Sequence, residues 1–279
     1  MKKLIRFLLI IILILSLLII YARYGGTRGL ITKEYPIETT IDDSFDGLKI
    51  VHFSDLHYLR ITNKETTQSI IEEINLLNPD IVVFTGDLID KDYKPNDKDI
   101  SNLKELLTSI KSKYGKYSVL GEHDIKVEDT IKDIYISSNF TLLDNSYDII
   151  YGNNNNKLFI GGLSNNPDID KVMNYFTDNE DINYKIILVH EPDYIDTITS
   201  KYNNINLVLA GHSHNGQINI PYIKKIFLPE GSKKYYNNYY KVNNTNLYIS
   251  SGLGESKINF RLFNKPSINF YRINKIGTK

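Results

Sequence analysis

With 279 residues, 42% of them hydrophobic, the chain is long enough for one sizeable core or two small ones. Lys plus Arg and Asp plus Glu balance at 33 each, which excludes a strongly basic nucleic-acid surface, so no nucleic-acid partner is expected. Cysteine is absent, which excludes disulfides, thiolate metal sites and a cysteine nucleophile.

Phe7 to Ala22 is apolar apart from Ser16 and follows Lys2, Lys3 and Arg6. A bilayer core about 30 Å thick needs roughly 20 helical residues. Leu4 to Ala22 reaches that span if Arg6 snorkels to the headgroups. Residues 1–24 therefore read as a single membrane-spanning helix. No small-residue cleavage site follows, so the segment reads as a retained anchor rather than a cleaved signal peptide. Basic residues in front favour an N-inside orientation and a body outside the cytoplasm, although Arg23 and Arg28 on the far side oppose it. Residues 25–46, polar with Gly25-Gly26 and Pro36, read as a tether ending in an extended segment; residues 47–275 read as the folded domain.

From Gly47 onward strands alternate with helices. A strand over 48–53 precedes a helix across Thr66 to Leu77, which Asn78-Pro79 ends because proline cannot continue it. Residues 80–85 are apolar on both faces, as in a buried strand. A helix over 99–113, capped at Ser101 or just before, leads to a strand over 116–120 and a helix over 128–137. Strands are expected near 141–143 and 157–160, then a helix over 168–176, a strand over 185–189, a helix over 194–202 and a strand over 205–210. The tail is strand-like at 217–220, 246–251 and 268–273. Alternation that passes into a β-rich tail predicts an α/β fold with mixed sheets rather than a purely parallel doubly wound sheet.

Five short stretches sit at the ends of predicted strands: Ser54-Asp55-Leu56-His57, Gly86-Asp87-Leu88-Ile89-Asp90, Gly121-Glu122-His123-Asp124, His190, and Gly211-His212-Ser213-His214. They contain five of the six histidines; His52 stays outside and reads as a core histidine. Alone, each stretch has a bland reading as a turn acid, a helix cap or a satisfied buried imidazole. Together, Asp55, His57, Asp87, Glu122, His190, His212 and His214 supply seven hard or borderline donors where α/β sheets hold their ligands. Such a set suits Mn, Fe, Zn or Co. Seven donors exceed what one ion with an open position needs, and fit two ions sharing a carboxylate. Asp55 and His57, two apart at a strand end, are expected to leave the strand on the same side.

In this order the stretches resemble the calcineurin-like metallophosphoesterase superfamily, whose pattern is Asp-x-His, Gly-Asp-x-x-Asp, Gly-Asn-His-Asp/Glu, a lone His and Gly-His-x-His. Ala210 to Ile218, and the tail from Ser251-Gly252-Leu253-Gly254 through Arg261 and Pro266, are similar to its YkuE-like, membrane-associated bacterial branch. The resemblance covers about Leu48 to Ile273. It implies a four-layer α/β/β/α sandwich of two mixed sheets. It also implies a phosphoesterase that hydrolyses mono- or diesters by metal-activated hydroxide; the anchor beside the domain, by its location, points to lipid or cell-envelope phosphoesters as substrates. By the same resemblance, Asp55, His57, Asp87 and His214 hold one divalent ion (Mn, Fe or Zn), and Asp87, Glu122, His190 and His212 hold a second. His123 is implied as general acid and Asp90 as the group that orients it. Glu122 stands where the family has Asn, which leaves a second expectation: a metal-binding envelope protein that no longer turns over. Asn215 replaces a common glycine, a mild change because Asn tolerates positive φ.

Overall fold

The computed structural model describes residues 1–60, 62–177, 182–221, 223–255 and 259–277. In chain order the elements are α1 (Lys2–Ile20), β1 (Ile31–Thr39), β2 (Leu48–Phe53), α2 (Lys64–Leu76), β3 (Ile81–Phe84), α3 (Asp97–Thr108), β4 (Gly115–Ser118), α4 (Glu128–Ser137) and β5 (Phe140–Leu142). They continue with β6 (Ser146–Tyr151), β7 (Lys157–Gly162), α5 (Ile169–Met173), β8 (Tyr184–Val189), α6 (Ile195–Lys201), β9 (Leu207–Ala210), β10 (Tyr239–Val242), β11 (Thr245–Ile249) and β12 (Ser267–Lys275).

The strands form two six-stranded sheets, ordered β1-β12-β2-β3-β4-β5 and β10-β11-β9-β8-β7-β6. Strands β2 to β5 run parallel, as do β7, β8, β9 and β11; β12 is antiparallel to β2, and β6 and β10 are antiparallel to their neighbours. Both sheets are therefore mixed. Side-chain alternation makes the layers. On β3, Val82 and Phe84 face the helices with Ile70, Ile74, Leu103, Leu107 and Ile134. Ile81 and Val83 face the other sheet, packing with Leu158, Ile160, Ile186, Leu188 and Leu209. On the far side of the second sheet, Phe159, Ile187 and Val208 pack against Val172 of α5 and Ile195 and Ile198 of α6. Helices α2 to α4, two sheets, and α5 with α6 thus make four layers. Each of these buried aliphatic side chains stabilises the fold by about 1.5–3 kcal/mol.

Several local expectations change in three dimensions. The stretch read as a tether is in part sheet: β1 pairs with β12 along its whole length, from Ile31 opposite Ser267 to Thr39 opposite Lys275. Helix α3 starts earlier than Ser101, because the Asn96 side chain accepts from the Asp99 amide while the Asp99 carboxylate accepts from the Asn96 amide. Residues 217–220 make a single bridge, Ile218 with Leu262, rather than a strand. The strands β6 and β10 lie at sheet edges, where burial is partial and sequence alternation is weak. His52 is a core residue, as expected; its ring nitrogens lie 3.2 Å from Tyr271 Oη and 2.9 Å from Thr85 Oγ1. Helix α1 has no buried residue and is long and apolar enough to cross a membrane.

Candidate metal centre

The five stretches meet at the carboxyl ends of parallel strands from both sheets. Asp55 and His57 follow β2, Asp87 and Asp90 follow β3, and Glu122 and His123 follow β4; His190 follows β8, and His212 and His214 follow β9. The backbone is unusual here. Asp55 (φ 52°), His57 (φ 44°), Asp87 (φ 60°), His212 (φ 64°) and His214 (φ 47°) all adopt left-handed conformations. Such conformations cost of order 1–3 kcal/mol each and persist only where the surroundings impose them. Asn215 also has positive φ (51°), as its substitution for glycine allows.

Two glycines permit the close approach. A Cβ on Gly86 would lie 2.5 Å from the Gly121 amide nitrogen and 2.8 Å from His190 Nδ1, and one on Gly121 would collide with Asp87. The loops after β3 and β4 can therefore touch only without side chains at these positions.

Donor atoms converge in three groups: Asp55, His57 and His214; His57, Asp87 and His123; and Asp87, His190 and His212. Asp87 Oδ2 lies 3.8 Å from His57 Nε2 and 3.4 Å from His190 Nε2, so this carboxylate sits between two imidazole sets. His214 Nε2 lies 3.5 Å from Asp55 Oδ1, and His212 Nδ1 lies 3.2 Å from His190 Nε2. The His57 and His214 rings stack with centroids 5.5 Å apart. All of these residues are buried.

The donor set fits cations. Among the described residues, both ring nitrogens of His57 and Nδ1 of His214 are buried without a hydrogen-bond partner. Orphaned buried nitrogens are costly unless something accepts their lone pairs. His190 Nδ1 donates to the Thr85 carbonyl at 2.7 Å, and His212 Nε2 donates to the Glu230 carbonyl. Each bond fixes the ring and turns the opposite nitrogen inward, as ligating histidines require. Burial lowers the His190 pKa, but the Asp87 carboxylate outweighs it and pushes it up to about 10. A cation there would neutralise Asp87 as that proton does. Burial holds His214 down to about 3, so its ring is neutral and able to ligate.

The Calcineurin-like phosphoesterase family model matches residues 48–216. The chain belongs to the calcineurin-like phosphoesterase family. The uncharacterized metallophosphoesterase YkuE of Bacillus subtilis is 33% identical over 262 residues, covering 91% of this chain and 88% of that protein. A transmembrane protein with metallophosphoesterase domain from Danio rerio is 26% identical over 275 residues, 92% of this chain and 60% of its own length. Among solved structures, the sulfate thiohydrolase SoxB of Thermus thermophilus superposes with TM-score 0.53 at 10% identity over 82% of this chain and 57% of that one, a likeness of fold alone. The chain is thus a metal-dependent phosphoric ester hydrolase of this family, with the α/β architecture and the YkuE-like kinship that the motifs implied.

Three residues of this phosphoesterase need separate placement. Glu122 is not in any of the three donor groups; its side chain is 44% exposed, and Oε1 lies 3.5 Å from His123 Nε2. Burial lowers the His123 pKa, but Glu122, Asp87 and Asp90 together outweigh it and raise it. Asp90 Oδ2 stands 3.5 Å from both His123 Nδ1 and His57 Nδ1 and makes its short contact, 2.6 Å, with Arg60. Burial alone would raise Asp90; His57, the Asp92 amide and Arg60 hold it well below the usual carboxylate range.

Asp124, to which no motif assigns a role, is a structural clamp. Its fully buried carboxylate accepts from the amides of Asp87 (3.0 Å), Leu88 (2.9 Å) and Gly121 (2.9 Å), clamping the β3 loop to the β4 loop. Burial, then the Asp87 charge, pushes it up to about 6. Its position beside His123 was the available signal, but its partners lie on another loop. The same holds for Thr85 and Glu230, which act through backbone carbonyls that no motif reveals.

Proposed function

We propose that this chain is a membrane-anchored phosphoesterase holding two divalent ions, with Asp55, His57 and His214 at one, His190 and His212 at the other, and Asp87 shared. The observation that carries this reading is the place of Asp87 Oδ2 between His57 and His190. Nitrogen and carboxylate donors without thiolate favour Mn, Fe or Zn. Divalent ions bound there lower the pKa of water and neutralise phosphoryl charge. His123, raised in pKa, holds a proton at Nε2 for the departing oxygen, and Asp90 orients its ring. Glu122 helps to raise the His123 pKa and adds a carboxylate beside the Asp87 end of the site; lying outside the donor groups, it takes no donor away. That favours a working enzyme over one that has lost turnover.

The apolar helix and the transmembrane relative from Danio rerio support single-pass anchoring in the cell membrane. The basic N-terminal flank supports an extracytoplasmic domain, and the neighbouring bilayer supports lipid or cell-envelope mono- or diesters as substrates. The test uses the full chain in detergent, stripped with chelator and reloaded with Mn, on bis- and mono-p-nitrophenyl phosphate. Metal-dependent release that disappears in Asp87→Asn supports the proposal. Equal release with and without metal would overturn it. Glu122→Asn completes the test: a modest change in rate fits a group acting on His123, whereas activity gained from an inert parent would mark turnover as lost.

A further inference from the structure

A cavity of about 370 Å³ lies where the chain leaves α1 and meets the domain, and its walls include Arg23, Arg28, Thr66, Leu253, Glu255 and Asn259. Its chemistry is unmatched on both sides. Glu255 is 1% exposed; Oε1 lies 3.4 Å from Arg261 Nε, while Oε2 has no partner among the described residues. Asn259 Oδ1 is likewise buried and unpartnered. Two buried acceptors therefore wait for donors. Arg23 and Arg28 form no ion pair among the described residues; Arg23 acts on Glu255 at longer range and lies 5.3 Å from the Tyr24 ring centroid, which leaves both guanidinium groups with donors open to an anion.

The location selects the ligand. Helix α1 has 19 residues and so a length of about 28 Å, close to the thickness of a bilayer core. Arg23 and Arg28 follow its end directly, at headgroup depth. The exit is docked rather than swinging: the Arg261 amide donates to the Ala22 carbonyl at 2.9 Å, and Tyr21 meets Phe263 with ring centroids 6.1 Å apart. We infer that this cavity binds the headgroup of a membrane phospholipid that carries hydroxyl or ammonium donors, its phosphate on Arg23 and Arg28 and its donors on Glu255 and Asn259. The inference rests on the membrane-anchored reading. The site is separate from the metal centre but shares a wall with it. The Leu253 amide donates to the Ser54 carbonyl at 3.0 Å, and the Gly254 amide to the Asp55 carbonyl at 2.7 Å.

The full chain, purified in mild detergent and delipidated, is titrated with phosphatidylglycerol, phosphatidylethanolamine or phosphatidylcholine and read by native mass spectrometry. Phosphatidylcholine carries the phosphate without an N–H or O–H donor. Retention of phosphatidylglycerol or phosphatidylethanolamine roughly ten-fold above phosphatidylcholine, a difference of about 1.4 kcal/mol, is expected. Asn259→Leu should erase that preference, and Arg28→Gln should weaken retention of every lipid. Equal retention of the three lipids by the parent, or unchanged retention in both variants, overturns the inference. Displacement of bound lipid by free glycerol phosphate at comparable concentration would make the ligand a soluble phosphate ester and overturn the lipid assignment. Carbonate extraction of membranes separates the two readings. A chain that leaves the membrane refutes the anchor, whereas a chain that stays yet binds all lipids alike refutes only the cavity.

Discussion

Asp55 and His57 sit in left-handed turns just beyond Phe53, where β2 ends, so period-2 strand alternation does not set their directions. Tertiary contacts hold them there: the His57 amide donates to the Asp87 carbonyl at 3.2 Å, and the His212 amide to the Asp55 carboxylate at 3.2 Å. At this scale the proton-carrying role proposed for His123 has a direct test. His123→Asn should lower kcat roughly 10²- to 10⁴-fold, the usual span for a lost general acid. Metal content by mass spectrometry should stay at the parental value; parallel loss of metal would make His123 a ligand instead. His52 gives the residue-scale pH dependence. Burial lowers its pKa to about 3 in the fold, against about 6.5 in the unfolded chain. A depressed imidazole pKa means that the unfolded state takes up the proton first. Its contribution is therefore intact above pH 6.5 and is lost as pH falls from 6.5 toward 3. Urea midpoints of His52→Gln should accordingly fall less steeply across that window than those of the parent.

The loops after β3 and β4 form one unit, joined by Asp124. Asp124→Ala strands the buried amides of Asp87, Leu88 and Gly121. A destabilisation of about 2–5 kcal/mol is expected, measured as a lower urea midpoint, together with loss of bound metal. Gly121→Ala acts on the same unit by collision with Asp87 and should deplete metal. Retained metal in both variants would show that the clamp is dispensable. Strand β1 makes a similar point about elements. Its polar composition reads as linker, since Lys33, Glu34, Glu38 and Thr39 give no apolar run, yet nine residues pair with β12. An edge strand buries little side chain, so its signal lies in the partner's backbone, which local sequence does not contain.

At the level of the whole molecule, the two sheets place their parallel carboxyl ends side by side, and the centre lies across the join. Asp55 and His212 are 157 positions apart in the chain and in contact in the fold. Chelator treatment of the full chain should therefore remove activity and also lower the thermal midpoint, because ions bound to the native state alone add stability by mass action. An unchanged midpoint would mean that the native state holds no such ions. Legible along the chain were the candidate donor types, their order, their places after strands, the apolar N-terminal helix and the alternation that builds four layers. Those features are local, set by composition and by period-2 or helical spacing. Visible only in three dimensions are the joining of β1 to the sheet, the turn of Glu122 to His123 outside the three donor groups, and the tie that Asp124 makes between two loops. Each of these depends on what lies opposite a residue across the fold, and contacts between distant segments leave no pattern along the chain.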